Sequence, residues 1–474
     1  MAFTGNDTSP GRRDGWVSQP DGRGTFDILW SCLITIFLCT WVSLHLNVPA
    51  SHEEYRHLFF RKMRWMVQAI MAPEFVLAFA IGQKVEAKKS VEQFRDLDLL
   101  RGNASRTVDP ASSRRSCLQG AGDRLSSLLN KVDMKLHGEQ KDTRWSIRHA
   151  FYANMGGFVL HPRESAAFPI NAKQLHWLIK QGYVEYPTIS SKAIWDKSKA
   201  DGFQKSLTCL QTGWFIIQIV GRAIQKLPIT TLEITTLSFV LCTLVMFTQW
   251  ANKPLDVESP TVLTSIKSIA EILIEAGPAA NQPFKQTPLD FIDNQSPSWL
   301  TEVQPHLRFR AGPRMRPLPR LTNDRFPVIG AGPDAVFLFL FTMAYCGLHF
   351  VAWDFSFPSI LERNLWRASS IAIAACAFIL WVCETYQDGH RLGRWERWYA
   401  KLSHDDRGGR INTMEKTRRN RRFIPVWEVI VMTPVTVVYT VARTYIVVEV
   451  FLSQRSLPVG AFNTVQWSEF VPHF

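Results

Sequence analysis

The sequence predicts an all-α, polytopic membrane protein: a transmembrane helix bundle of six to seven spans, with cytosolic loops and a small loop subdomain. The first observation is an uncharged stretch at residues 28–46, ILWSCLITIFLCTWVSLHL. At 1.5 Å per residue, this stretch comes close to the ~30 Å hydrocarbon core of a bilayer. The second observation is that uncharged runs edged by Trp or Tyr, the residues favoured at membrane interfaces, recur along the chain. These runs lie at residues 206–221, 234–252, 335–353 and 368–383.

Two further apolar segments carry interruptions. Residues 65–83 have Glu74 at their centre, and residues 423–450 contain Glu428, Pro434 and Arg443. With them the window criterion gives about seven spans. Whether the segments at 206–225 and 423–433 cross the membrane is left open by the sequence.

Basic residues concentrate in alternate loops, and this bias predicts the orientation, because loops rich in Lys and Arg stay in the cytosol. Most of them fall in residues 84–205, 253–334 and 387–422. The loop at residues 47–62 is then expected outside. The predicted order is a cytosolic tail at 1–25, two spans in 26–83, a loop at 84–205, two spans in 206–252, a loop at 253–334, two spans in 335–386, a basic loop at 387–422, a last span in 423–452 and an external tail at 453–474.

The loops differ in composition. Residues 101–127 are rich in small and charged residues, which predicts a disordered linker, whereas residues 144–205 alternate aromatic anchors with charges and predict a small ordered subdomain. An amphipathic helix is predicted at residues 261–276, ended by Gly277 and Pro278. Ten prolines between positions 278 and 333 then predict an extended segment packed on the membrane domain.

The net charge of +13 points to a lipid bilayer rather than to nucleic acid. Five basic residues directly precede the last predicted span, and each can gain about 1 kcal/mol from an anionic leaflet. Orientation of the last span is the simpler role for this charge, and binding of lipid head groups is the alternative. No nucleic-acid module accompanies the charge, and no protein partner is identified. The five residues are Lys416, Arg418, Arg419, Arg421 and Arg422.

Several short strings carry a resemblance to a known family. They include Leu44-His45-Leu46-Asn47-Val48-Pro49, Ala72-Pro73-Glu74, Asp196-Lys197-Ser198-Lys199-Ala200-Asp201, Leu227-Pro228-Ile229-Thr230 and Lys253-Pro254-Leu255-Asp256. Together they resemble a large family of uncharacterised multi-pass membrane proteins of filamentous fungi, over nearly the whole chain except residues 101–127. The resemblance implies a shared membrane fold and a fungal origin. It brings no agreed activity and therefore no functional residues.

Acidic residues at membrane depth are the best candidate site residues, because a charge at mid-bilayer costs several kcal/mol unless it is paired or faces water. Glu74 follows Pro73, which frees a backbone carbonyl and can kink the helix. One interpretation is a buried ion pair with Arg64, Arg222 or Arg443 that sets the helix register. The other is a substrate, proton or ion pathway, for which the candidates are Glu74, Arg222, Glu428 and Arg443.

Enzyme motifs are mostly absent: the sequence has no Walker A, GxSxG or HExxH pattern. No metal and no cofactor is predicted, and whether the protein is an enzyme stays open. Handling of a lipophilic small molecule, such as a fungal specialised metabolite, is the leading hypothesis. The alternatives are a membrane-embedded acid/base enzyme such as a cyclase, placed on Glu74, Asp354 and Glu384, and a membrane sensor or scaffold that binds cytosolic partners.

Overall fold

A computed structural model gives the fold. It describes residues 11–19, 22–50, 53–107, 144–198, 200–280, 284, 286–293, 316–321, 323, 327, 329, 332–391 and 426–467. The basic run at Lys416 to Arg422 and most of the predicted linker at 101–127 lie outside these residues.

The described chain is mostly helical, with a few short strands. The helices are α1 (Thr25–Trp41), α2 (Tyr55–Met71), α3 (Pro73–Thr107), α4 (Ile147–Asn154), α5 (Ala172–Lys180), α6 (Ser191–Asp196), α7 (Ala200–Ile224), α8 (Thr231–Gln249), α9 (Ile269–Ala276), α10 (Pro333–Val351), α11 (Ile360–Arg391) and α12 (Val426–Leu452). The strands are β1 (Arg12–Asp14), β2 (Phe158–His161), β3 (Phe168–Ile170), β4 (Thr261–Thr264) and β5 (Ser456–Pro458).

Five helices in the described residues are long and apolar enough to cross a membrane, which is consistent with a membrane protein. They comprise Gly202–Ile224, Thr231–Gln249, Pro333–Asp354, Ile360–Tyr386 and Ile430–Arg455. Helix α1 is also apolar but has only 17 residues, because the chain leaves the helix after Trp41 and residues 44–48 form a buried loop. The structure agrees only roughly with the predicted six to seven spans.

The segment at 65–83, predicted as a span that Pro73 can kink, is broken into two helices. Helices α2 and α3 meet at Ala72 and Pro73 with a bend of 112°. Pro73 has no N–H and starts a new helix, while Ala72 leaves the helical region at φ −150° and ψ 75°.

Helices α1 and α8 run side by side in the same direction. Arg23 pairs with Glu233 where both helices begin, at 2.6 Å, and the Thr243 hydroxyl donates to the Cys39 carbonyl further along. The His45 ring lies 5.1 Å from the Trp250 ring just beyond their last turns. We call the end at Arg23 and Glu233 the terminal end of the bundle, and the end at His45 and Trp250 the loop end.

The remaining apolar helices alternate in direction. Helix α7 ends at the terminal end, where Arg222 lies beside Glu233. Arg455, just after α12, pairs with Glu362 in the first turn of α11, so α12 ends and α11 begins at the terminal end. The Trp366 indole donates to the His349 carbonyl, which packs the end of α10 against the start of α11.

Two segments close to the ends of the chain meet at the terminal end. Strand β1 pairs antiparallel with β5, and the Arg12 guanidinium also donates to the Phe357 carbonyl at 2.6 Å. If the apolar helices cross a membrane, this pairing puts both ends on one side. The cytosolic N-terminal tail and external C-terminal tail stay a prediction, and this pairing does not fit it because the prediction counts residues 65–83 as a crossing. The described part of residues 47–62 lies at the loop end with the large loops.

The loop subdomain is built from two parts of the chain. Strand β2 pairs antiparallel with β3 and parallel with β4, which comes from the loop after α8. Residues 261–264 are thus a strand rather than the start of the predicted helix, because three of their four side chains are β-branched and the segment joins an existing sheet. The helix begins only at Ile269, where Ser268 and Glu271 form a capping box.

The subdomain is attached to the bundle through α3. The Phe94 and Trp145 rings stack at 3.8 Å, and the Trp145 indole donates to the Ser90 hydroxyl at 3.0 Å. The described part of the Pro-rich segment contacts the bundle as well, since Asn323 accepts a hydrogen bond from the Asn47 amide.

Candidate functional site

A group of buried polar side chains lies inside the bundle, and we call it the polar cluster. Its members come from three helices and are 0 to 9% exposed. They are Glu74 on α3, Tyr345 and His349 on α10, and Tyr439 and Arg443 on α12.

The polar cluster lies near the middle of the bundle. Arg443 is ~13 Å from the end of α12 by helical rise, and Phe239, whose ring faces its guanidinium, is ~12 Å from the start of α8. In the other direction, Gln83 accepts a hydrogen bond from the Trp250 indole at the loop end and lies ~13 Å beyond Glu74 along α3. The cluster is therefore far from water at both ends.

The bend between α2 and α3 supplies backbone acceptors to the cluster. Where the helix breaks, the Phe75 amide bonds to the Ala72 carbonyl, so carbonyls in the last turn of α2 lose their helical partners. The Tyr439 hydroxyl lies 3.3 Å from the Met71 carbonyl, and Arg443 Nη2 donates to the Ile70 carbonyl at 3.4 Å. Helix α12 thus contacts the break directly.

The side chains of the cluster are also bonded to one another. The Tyr439 hydroxyl donates to Glu74 Oε1. Arg443 Nη1 donates to His349 Nε2 at 3.0 Å, and because arginine can only donate, the neutral imidazole carries its proton on Nδ1. Arg443 also lies between two aromatic rings, each centred 5.5 Å from its guanidinium carbon.

Several polar atoms of the cluster have no hydrogen-bond partner in the described part of the chain. They are Glu74 Oε2, Tyr345 Oη, His349 Nδ1 and Arg443 Nε. Buried polar groups almost always have partners, and an unsatisfied one costs about 1 to 3 kcal/mol, more if charged. The cluster can therefore accept a hydrogen bond at Glu74, donate one at Arg443, and do either at Tyr345.

Two of the predicted residues, Glu74 and Arg443, are brought together. They interact electrostatically, but each makes its short hydrogen bond to another side chain. Tyr345, His349 and Tyr439 were not predicted as residues of this site, because neutral residues do not interrupt an apolar run. Their spacing was a usable signal: Tyr345 and His349, like Tyr439 and Arg443, are one turn apart on one helical face.

Arg222 belongs to a different group of buried charges at the terminal end. It donates to the carbonyls of Asn463, Pro228 and Ala461 at 2.7 to 3.0 Å. Its charge is opposed by Glu233, which also pairs with Arg23. This arrangement fastens the C-terminal tail to the bundle.

The three acids considered for a cyclase, namely Glu74, Asp354 and Glu384, do not form one site. Asp354 pairs with Arg367 at 2.9 Å, and its side chain is 87% exposed. Glu384 is on α11, ~27 Å beyond Trp366 by helical rise, toward the loop end.

Glu428 lies at the start of α12, and its side chain is outside the described part. In the described residues there is also no group of three or more His, Cys, Asp or Glu side chains placed to hold a metal ion.

Comparison with known proteins gives one match. Residues 3–275 and 335–474 match the model of a family of unknown function (DUF8562). Neither the curated proteins nor the solved structures that were searched contain a match.

Proposed function

The chain belongs to this family of unknown function, DUF8562, and from that premise we propose that it is a multi-pass membrane protein that binds a lipophilic small molecule at the polar cluster. A polar group of the molecule would bond to Glu74 and Arg443, and its apolar body would lie among the surrounding helices.

The unpartnered atoms of the cluster are the observation that carries this proposal. In a purely structural ion pair, Glu74 and Arg443 would contact each other directly, and all their polar atoms would have hydrogen-bond partners, since an unpaired buried charge is strongly destabilising. Instead Glu74 Oε2 and Arg443 Nε remain available at mid-bundle. A ligand hydroxyl or carboxyl group can donate to the first and accept from the second, which neither an apolar molecule nor a simple cation can do.

The neighbours of the cluster suit a lipophilic ligand. Phe239 faces Arg443, and the thiols of Cys242 and Cys346 lie near Glu74. These thiols are buried and act as small apolar groups. The resemblance to fungal membrane proteins supports a fungal specialised metabolite as the ligand, handled in its biosynthesis or its transport.

A sensor is the second candidate function, and the continuity of α3 favours it. This single helix begins beside Glu74 and continues to the residues that hold the subdomain, Ser90 and Phe94. A ligand that displaced the start of α3 would therefore also move the subdomain.

Co-purification tests the binding proposal. The full chain and the variants Glu74→Gln and Arg443→Gln would be extracted from the native host into lipid nanodiscs, and small molecules would be identified by mass spectrometry. We expect one lipophilic compound enriched with the natural protein and reduced about tenfold or more in both variants, as the loss of a charged hydrogen bond implies.

Arg367→Gln is the matched control, because it removes a charge at the terminal end and should leave the compound bound. A natural protein with no compound enriched over empty nanodiscs, or full retention in both variants, would contradict the proposal. Metabolite profiles of a deletion strain then separate the modes of handling: a lost product means conversion, a product retained in the cells means export, and an unchanged profile favours the sensor.

A further inference from the structure

Helix α2 carries three stripes of different chemistry. In each stripe the residues follow one another at intervals of four, three and four positions, which puts them on one helical face. The first stripe packs on the bundle: Trp65 and Ala69 are buried, and the Trp65 ring lies 5.4 Å from the Phe79 ring of α3. Its members are Leu58, Lys62, Trp65 and Ala69.

The second stripe is polar and adjoins the loop before α2. Arg61 pairs with Glu53 at 3.0 Å, and its Nη2 donates to the Asn47 carbonyl at 3.3 Å. The stripe consists of His57, Arg61, Arg64 and Gln68. The bundle and this loop therefore account for two sides of the helix.

The third stripe is apolar, and much of it is exposed; we call it the apolar stripe. Phe60 and Val67, two turns apart, are 63% and 53% exposed, and Phe59 is exposed beside them. By helical spacing, Arg56 in the first turn is the one charged residue on this side of α2. The apolar stripe consists of Phe59, Met63, Met66 and Ile70, with Phe60, Val67 and Met71 along its edge.

Helix α2 slopes from the loop end to the depth of the polar cluster. In its first half, Lys62 pairs with Asp256 in the loop after α8, at 3.3 Å. In its last turn, the Met71 carbonyl lies 3.3 Å from the Tyr439 hydroxyl of the polar cluster. The chain then bends by 112°, and α3 returns to the loop end. The pair of helices thus enters and leaves at the same end of the bundle.

On the basis that the apolar helices span a membrane, as in the proposed function, we propose that α2 and α3 form a re-entrant pair and that the apolar stripe lies among the acyl chains of the leaflet at the loop end. Apolar and aromatic residues on one side with basic residues on another are the pattern of helices that lie in a membrane interface. The leaflet then also supports the last turn of α2, which supplies backbone carbonyls to the polar cluster.

The order of residues along the apolar stripe favours lipid over a second protein chain as its partner. Tyr55 and Arg56, at the loop end, are the residues that membrane interfaces accept, whereas the side chains that follow at greater depth are uncharged. At its deep end the stripe reaches α12, where Val437 and Val438, directly before Tyr439, are exposed. The outward faces of the long apolar helices meet lipid in a membrane, and the stripe continues such a face.

Photo-crosslinking tests the proposal. Benzoylphenylalanine, a photoreactive residue that attacks nearby C–H bonds, would be introduced at Phe60 or at Val67 of the full chain in phosphatidylcholine nanodiscs. Lipid adducts would be quantified by mass spectrometry after illumination. Leu340, exposed on α10, is the lipid-facing reference, and Ser165, exposed on the subdomain, is the matched control. We expect acyl-chain adducts at both α2 positions in the yield found at Leu340, and none above background at Ser165.

Adducts at Leu340 without adducts at Phe60 and Val67 would overturn the proposal and leave the membrane-spanning helices in place. Cross-links from these two positions to a second copy of the chain would overturn it as well, because protein would then cover the apolar stripe. If Leu340 also gave no lipid adduct, the membrane-spanning part of the proposed function would fail together with the proposal.

Discussion

Two buried glutamates differ in how fully their oxygens are used, which is why we assign one to structure and propose the other for ligand binding. Glu233 is 1% exposed and is fully engaged: it pairs with Arg23 and accepts from the amide and hydroxyl of Thr230 as part of a capping box. Glu74 is 9% exposed, bonds to Tyr439 and keeps one oxygen unpartnered. Both are buried acids, but only Glu74 has capacity left for a ligand.

This difference predicts opposite effects of removing the two charges. Glu233→Gln should destabilise the protein by about 3 kcal/mol or more, because it leaves the Arg23 and Arg222 charges without their partner. Glu74→Gln should lower stability much less and affect ligand binding instead. Thermal unfolding of both variants in the same detergent measures the difference, and a larger loss of Tm for Glu74→Gln than for Glu233→Gln would contradict it.

The buried side chain of Lys253 predicts that the stability of the protein depends on pH. The residue is 1% exposed, its ammonium group donates to the His45 carbonyl and to Gln83 Oε1, and burial lowers its pKa from 10.5 to about 7. The unfolded chain therefore binds more protons between pH 7 and 10.5, so the free energy of unfolding should rise with pH in this window, by at most ~1.4 kcal/mol per unit. Lys253→Met should remove the rise, and a stability profile of the natural protein that falls from pH 7 to 9 would disprove it.

At the scale of elements, α3 depends on a close approach to the Pro-rich segment. A Cβ added at Gly82 would lie 2.8 Å from the Pro327 side chain and 3.0 Å from its carbonyl oxygen. The same addition at Gly213, in the middle of α7, meets no atom within 4 Å. The two glycines are both helical, so their substitutions differ mainly in this contact.

Gly82→Ala is therefore expected to destabilise the protein by about 1 to 3 kcal/mol through overpacking. Gly213→Ala should be neutral or slightly stabilising, since alanine favours the helix. The Tm values of the two variants in one detergent provide the measurement. An unchanged Tm for Gly82→Ala would show that the Pro-rich segment can move away from α3 without loss of stability.

The pairing of β1 with β5 determines the arrangement of the whole molecule. If the apolar helices cross a membrane, β1 and β5 lie on one side of it, and the number of crossings between them is even. The subdomain and the described part of the Pro-rich segment are then on the other side.

Accessibility tags test this arrangement. Tags before Met1 and after Phe474 should report the same side of the membrane, and a tag at the exposed residues 163–165 of the subdomain should report the opposite side. If the two terminal tags reported opposite sides, β1 and β5 could not be paired in the membrane-embedded protein. The orientation predicted from the basic loops would then hold.

The sequence by itself determined which segments are apolar helices and pointed to two of the charged residues that lie buried among them. Uncharged length is a local property, so the runs at 206–221, 234–252, 335–353 and 368–383 fall almost entirely within α7, α8, α10 and α11. The cost of an intramembrane charge is also local, and it identified Glu74 and Arg443.

Only the tertiary structure decided how these segments are directed and what surrounds the charges. Pro434 lies inside the continuous helix α12, whereas Pro73 stands at a 112° bend, although both prolines interrupt similarly apolar segments. The difference arises because Tyr439 and Arg443 meet the carbonyls that the break at Pro73 exposes, and such partners come from a distant part of the chain. The direction of the later helices depends on whether the chain turns back at that bend, which is why local patterns predicted the helices but not the pairing of β1 with β5.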